Sequence, residues 1–156
     1  MIILEDTRQQ ISKHKMKHEW FAEHGIQIER CRLYVGDYTL PHNQSICIDT
    51  KKDLQELVQD VTQQHERFRN ELIRANEAGI KLIILCEHSS EIRCLEDVYF
   101  WVNPRSKKNP KATSGMRLFR ILNTIKSKYN VDFEFCDKFH TGQRIVEILS
   151  REEVNI

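Results

Sequence analysis

No run of about 18 apolar residues occurs in the 156-residue sequence, so no transmembrane helix is expected. The opening Met-Ile-Ile-Leu-Glu-Asp has neither a basic region nor a long apolar stretch. It reads as a first strand rather than a secretory signal. The five cysteines, Cys31, Cys47, Cys86, Cys94 and Cys136, are odd in number and scattered, with no Cys-x-x-Cys pair. That argues against a zinc ribbon and against a disulfide framework. Reduced thiols in an intracellular protein are the simplest account, cytoplasmic if the source is prokaryotic or a phage, nuclear if eukaryotic. There is no Gly-rich phosphate loop and no His-Glu-x-x-His, which removes two motif-based enzyme classes. No internal repeat is visible.

What is present suits one globular domain over residues 1–156 with a substantial core: 40% hydrophobic and 30% charged residues. The net charge of +1 hides an asymmetry. Between Pro104 and Lys128 stand Arg105, Lys107, Lys108, Lys111, Arg117, Arg120, Lys126 and Lys128, with no acidic residue among them. That segment carries +8 and the rest of the chain −7. A basic surface beside an acidic site is the footprint of a nucleic-acid contact, although a solvated charge run has the same composition.

The spacing predicts a strand over 2–5, then a helix over 11–24 with Ile11, Met16, Trp20 and Phe21 on its apolar side and Gly25 as its stop. His14 and His18, four apart among lysines, read as exposed. A second strand over 26–35 leads into Gly36-Asp37. Pro41 to Ser45 is a polar turn and 46–52 a third strand. Asp53 is placed to cap a long helix over 54–78, interrupted near Thr62–His65. Glu66 and Glu71 on it read as solvent-facing members of Glu–Arg pairs. Residues 80–87 form a nearly continuous apolar strand, buried on both faces. Its last residue, Glu87, reads as structural. Residues 95–102 are a short strand or helical turn, and 103–114 a polar basic loop long enough to be functional. A helix over 115–129, a strand over 131–136 and a last helix from Thr141 complete the chain. Helices between strands imply an α/β fold with a mixed sheet covered on both faces.

The most informative stretch runs from Gly36-Asp37-Tyr38 to Ile46-Cys47-Ile48-Asp49-Thr50-Lys51-Lys52-Asp53-Leu54. It reads as a hairpin whose second strand enters a helix. Alternation puts Asp49 and Lys51 on one face, and closing the hairpin brings Asp37 towards them. Two carboxylates and a lysine suit a Mg²⁺ site that activates water beside a phosphate. Taken alone, Asp-x-Lys and Gly-Asp are ordinary sequence, the first a solvated face and the second turn punctuation.

This order resembles the PD-(D/E)XK nuclease core, and more narrowly the XPF-type nuclease domain of structure-specific endonucleases. That domain carries D-x-R-E after its first strand, then G-D-Y/F, then E-R-K-x-x-D-L. Here the corresponding stretches are Asp6-Thr7-Arg8-Gln9, Gly36-Asp37-Tyr38 and Asp49-Thr50-Lys51-Lys52-Asp53-Leu54, the last with one residue rather than two between Lys51 and Asp53. Asp49 stands where the family has Glu, Thr50 where it has Arg, and Gln9 where it has Glu. The resemblance implies a restriction-endonuclease-like core, a central mixed β-sheet flanked by helices, over residues 1–90. The basic loop and a C-terminal α-β-α unit then cover 104–150.

The implied activity is a Mg²⁺- or Mn²⁺-dependent DNA endonuclease acting on branched or flap DNA. Asp37 and Asp49 are the expected metal ligands, with the Thr50 carbonyl and Asp6 as further candidates. Lys51 is expected to stay protonated beside carboxylates and to act through its charge. Arg8, Arg67, Arg105, Lys107, Lys108, Lys111 and Arg117 are the candidate phosphate contacts. A homodimer or heterodimer is the assembly implied, and no membrane partner is expected. The main rival is a catalytically inactive DNA-binding or scaffold module of the same type, which the replacements Thr50 and Gln9 keep open. A nucleotide-binding α/β domain ranks last.

Overall fold

The computed structural model describes residues 1–151. Its strands are β1 (Ile2–Asp6), β2 (Gln27–Cys31), β3 (Tyr38–Thr39), β4 (Ile46–Lys51), β5 (Lys81–Glu87) and β6 (Asp132–Cys136). They form one six-stranded sheet in the order β2-β1-β3-β4-β5-β6. β3 is antiparallel to both its neighbours, and every other pairing is parallel. The helices are α1 (Lys15–Glu23), α2 (Leu54–Val61), α3 (His65–Glu77), α4 (Leu95–Val98), α5 (Gly115–Tyr129) and α6 (Thr141–Ser150). Among the described residues no helix is long and apolar enough to cross a membrane.

β5 shows how the sheet is covered. Successive side chains alternate between faces. Leu82, Ile84 and Cys86 join Leu54 and Leu57 of α2, Phe68 and Leu72 of α3, and Leu118 and Leu122 of α5. Ile83 and Leu85 join Phe21 of α1 with Ile145, Ile148 and Leu149 of α6. On β4, Ile46 and Ile48 belong to the second cluster and Cys47 to the first. Asp49 and Lys51 therefore project towards α2 and α3.

The first half departs from the expected elements in several places. Residues 11–24 are not one helix: Ile11–Lys13 is a 3-10 turn and α1 starts at Lys15. Ile11 and Met16 are exposed. The buried place goes to Lys17, whose Nζ lies 2.9 Å from Glu87 Oε1 at the end of β5. His14 and His18 are half-buried rather than exposed. His18 Nε2 lies 2.7 Å from Glu5 Oε2. Burial pushes His14 down to about 4. The second strand stops at Cys31, because the Leu33 N–H is drawn to Asp6 Oδ1 (2.9 Å) and leaves the ladder. The hairpin forms, but Asp37 precedes its short first strand, β3, rather than ending β2. The later elements match closely: the helix break falls at 62–64, α5 spans Gly115–Tyr129, and residues 95–98 are the short helix α4.

The basic loop is anchored. Asn103, 3% exposed, donates from Nδ2 to Thr113 O (2.8 Å). Its Oδ1 accepts from the Arg105 N–H (3.0 Å) and from Gln55 Nε2 on α2 (2.6 Å). One buried amide thus closes the loop and ties it to α2.

Candidate active site and nucleic-acid interface

Gly36 makes the Asp37 corner. Its φ is +72°, and a Cβ there would stand 2.9 Å from Ile48 O, so only glycine meets both the backbone angle and the close approach. The corner is fastened on two sides. The Asp37 N–H donates to Ile48 O (2.7 Å), and Asp37 O accepts from the Asp6 N–H (2.8 Å). The Gly36 N–H donates to Glu71 Oε1 on α3 (3.2 Å).

The Asp37 carboxylate then turns towards β4. The backbone N–H and the hydroxyl of Thr50 both donate to its Oδ2, each at 2.8 Å. Oδ1 is left without a hydrogen-bond partner among the described residues. Thr50, the departure from the family's Arg, thus orients the first candidate ligand.

Asp49 is 6% exposed. Lys51 Nζ lies 3.0 Å from Asp49 Oδ2 and 3.1 Å from Asp60 Oδ2 of α2. Among the described residues the Lys51 ammonium is the one group in contact with each of those buried oxygens. Burial pushes the Asp49 carboxyl well above the usual carboxylate range, opposed by Lys51 and reinforced by Glu71 and Asp37. Burial disfavours the Lys51 charge, but Asp49 and Asp60 outweigh it and raise the ammonium above the ordinary lysine value. The two carboxylates thus favour the ammonium form of Lys51. Glu71 is lifted chiefly by burial, with Lys51 pulling the other way and Asp37 adding to the rise.

Asp6 lies in the same cleft, but both its oxygens are engaged. Arg8 Nε donates to Oδ2 (2.6 Å), Arg8 Nη2 to Oδ1 (3.2 Å) and the Leu33 N–H to Oδ1 (2.9 Å). Burial works against the Asp6 charge, yet Arg8 and Leu33 hold its pKa below the ordinary value. The arrangement makes Asp6 the anchor of Arg8.

These groups line a cleft of ≈ 970 Å³ that also takes in Arg67, Arg74, Gln9, Gln63, Gln64 and Asn70. Arg8 and Arg67 thus line the same cleft as the carboxylates. Arg105, Lys108, Lys111 and Arg117 do not reach that cleft. They line a second groove of ≈ 500 Å³ between the basic loop and α2, which shares Gln63 with the first. Lys107 is exposed and lines neither.

Asp60, Glu71 and Arg74 were missed or misread. For Glu71 the signal was available: it falls three residues after Phe68 and four before Ala75, both buried, so helical spacing puts it on the inner face.

No group of three or more His, Cys, Asp or Glu among the described residues gathers tightly enough to hold a metal. Asp37 and Asp49 are nevertheless a fitting donor pair for a hard divalent cation. Among the same residues Asp37 Oδ1 has no hydrogen-bond partner, and buried Asp49 Oδ2 meets only the Lys51 ammonium. Mg²⁺ takes few protein carboxylates, the remaining positions going to water and phosphate oxygens.

The family model for the ERCC4 domain matches residues 5–148. No curated protein matches the sequence. Among solved structures, "XPF from Aeropyrum pernix" aligns with a TM-score of 0.67 at 16% identity, over 97% of this chain and 61% of that one. "XPF from Aeropyrum pernix, complex with DNA" aligns with a TM-score of 0.67 at 17% identity, over 99% of this chain and 65% of that one. This chain thus spans less than two thirds of either, and at such identity the likeness is one of fold: a mixed sheet flanked by helices.

Proposed function

This chain belongs to the ERCC4 domain family, and we propose that it hydrolyses phosphodiester bonds in branched or flap DNA as a Mg²⁺- or Mn²⁺-dependent endonuclease. The observation that carries the reading is the meeting of Asp37, Asp49 and Lys51 in one cleft. Asp37 and Asp49, with the Thr50 carbonyl, would hold the cation. Such an ion lowers the pKa of water and offsets charge on the phosphate.

The chain's own groups do the rest. Thr50 fixes the Asp37 carboxylate. Lys51, held protonated, presents a permanent positive charge to the phosphate as negative charge builds on it. Arg8, steadied by Asp6, and Arg67 bind backbone phosphates on the cleft walls. Arg105, Lys108, Lys111 and Arg117 hold the backbone where it leaves the cleft past Gln63, with Lys107 adding charge at the rim. Contacts to phosphate carry no sequence information, so choice among substrates rests on DNA shape.

The test is cleavage of labelled duplex, fork, flap and four-way-junction DNA with Mg²⁺ or Mn²⁺ against EDTA, beside Asp49→Ala. Cutting that needs the metal and vanishes in the variant is the expected result. One observation favours a second reading, a non-catalytic DNA-binding module: Lys51 already sits on Asp49. Binding without cutting in both proteins would establish it.

A further inference from the structure

Lys51 gives the cleft a cation of its own. The side chains of Lys51, Asp49 and Asp60 are 11%, 8% and 14% exposed, and the ammonium stands 5.6 Å from the centre of the Phe68 ring. The same nitrogen is within reach of two carboxylates from different elements, β4 and α2. Beyond that ammonium, neither carboxylate oxygen has a hydrogen-bond partner among the described residues. Taking the ammonium from either one leaves a buried charge uncompensated, which is costly. Asp49 has a prospective replacement, because it is a candidate cation ligand beside Asp37. Asp60 has none: among the described residues, the cation that pairs with it is Lys51.

We propose that Lys51 is an internal counter-ion that is handed from Asp49 to Asp60 when a divalent cation takes Asp49. The inference rests on the reading of Asp37 and Asp49 as cation ligands. An ammonium 3.0 Å from a carboxylate oxygen occupies the ground a cation needs, and like charges at such range repel strongly where water is scarce. The lysine stem is flexible and its head is a compact point charge, so a small swing about the Asp60 contact suffices. The Phe68 ring, whose centre is 5.6 Å from the ammonium, itself favours a cation at this place. Asp60 is in this scheme a positioning residue: it touches neither ion nor substrate, and acts by receiving Lys51.

Two consequences follow that a plain acidic patch does not share. Lys51→Met removes a competitor and raises divalent-ion affinity. Asp60→Asn removes the receiver and lowers affinity, but only while Lys51 is present. If Asp60 simply adds negative potential, its loss weakens ion binding whichever residue stands at position 51.

The experiment is titration calorimetry of Mn²⁺ into the full chain without DNA, for the wild type, Lys51→Met, Asp60→Asn, the double variant and Asp49→Ala, with Mg²⁺ titrated into the wild type as well. Contacting residues coupled in this way give a Kd for Asp60→Asn about tenfold weaker than wild type. The double variant is expected to match Lys51→Met within about twofold. Equal losses from Asp60→Asn in both backgrounds overturn the hand-off while leaving the metal site standing. Unchanged binding by Asp49→Ala overturns the site itself and the hand-off with it. Should Lys51→Met fail to fold by circular dichroism, lysine-selective ¹⁵N NMR of the wild type decides. The Lys51 ammonium resonance is expected to move with added Mg²⁺ and saturate at the Kd that calorimetry gives for Mg²⁺. A resonance that stays in place through saturation refutes the proposal.

Discussion

Gly36→Ala tests the corner on which the site is built. Two penalties are separable here. A non-glycine residue in the left-handed region costs about 1–2 kcal/mol, and φ at Gly36 is +72°. The new Cβ would also stand 2.9 Å from Ile48 O, which is backbone and cannot swing away. Moving the corner to relieve that contact strains the Asp37 N–H to Ile48 O bond at 2.7 Å and the Gly36 N–H to Glu71 bond at 3.2 Å. Partial loss of such bonds adds roughly 1 kcal/mol, for a total of about 2–3 kcal/mol. Gly79→Ala is the internal control, since φ there is +69° with nothing within 4 Å of the added Cβ. It should lose only the strain component, about 1–2 kcal/mol. In urea, with a slope near 2 kcal/mol/M, the Gly36→Ala midpoint should fall by about 1–1.5 M and that of Gly79→Ala by about 0.5 M less than that. Cation affinity should drop in the first variant and hold in the second. Equal losses of stability in the two would show that the close approach to Ile48 carries no cost, and the argument for this corner would fall.

Two further outcomes are expected. Burial depresses His14 to about 4 and also lowers His88, and His88 Nδ1 must be neutral to accept the Leu54 N–H at 3.2 Å. Their contribution is fully present above pH 6.5, the ordinary histidine value; as pH falls below it the unfolded chain takes up protons first, so stability declines towards pH 4. With His14 half-buried, roughly 1 kcal/mol of that decline should be absent in His14→Gln between pH 7 and pH 5; an unchanged slope in urea titrations at the two pH values would count against it. In the basic groove, Lys111→Glu with Arg117→Glu should weaken DNA binding and reduce the salt slope by about one for each phosphate no longer neutralised. Fluorescence anisotropy across a salt series measures it, and an undiminished slope would show that the groove holds no phosphate.

Features set by neighbours in sequence were legible. The unbroken apolar run ending at Glu87 became β5, the polar stretch after Val61 became the α2–α3 break, and strict alternation put Asp49 and Lys51 on one face. Features set by distant partners were not. Leu33 and Val35 continue the alternation of β2, yet the strand ends because Asp6, 27 residues earlier, captures the Leu33 N–H. A lysine among lysines reads as solvated, and nothing near Lys17 announces Glu87, which stands 70 positions away and buries it. Asp60 likewise looks like an ordinary helix acid until α2 is laid across β4.

That placement of α2 explains why the two charged regions of this chain do not cancel. One flank of the helix carries Asp60 and Glu56 towards the acidic cleft, while the other presents Gln55 and Val58 to the basic groove. The helix is a wall between them, and Gln63 is the lining residue the two depressions have in common. The charges that act most strongly on Asp49 are Lys51, Glu71 and Asp37, and those on Lys51 are Asp49, Asp60 and Glu71. None of these comes from residues 105–128. The eight cations of that segment are thus not among the leading influences on Asp49 or Lys51. Their field is directed at whatever polyanion lies along the groove, and the cleft balances its own acids with Lys51. A balance that depended on the distant basic segment would weaken as salt screened it; the contact that opposes the Asp49 charge spans 3.0 Å between buried groups, a range over which salt screens little.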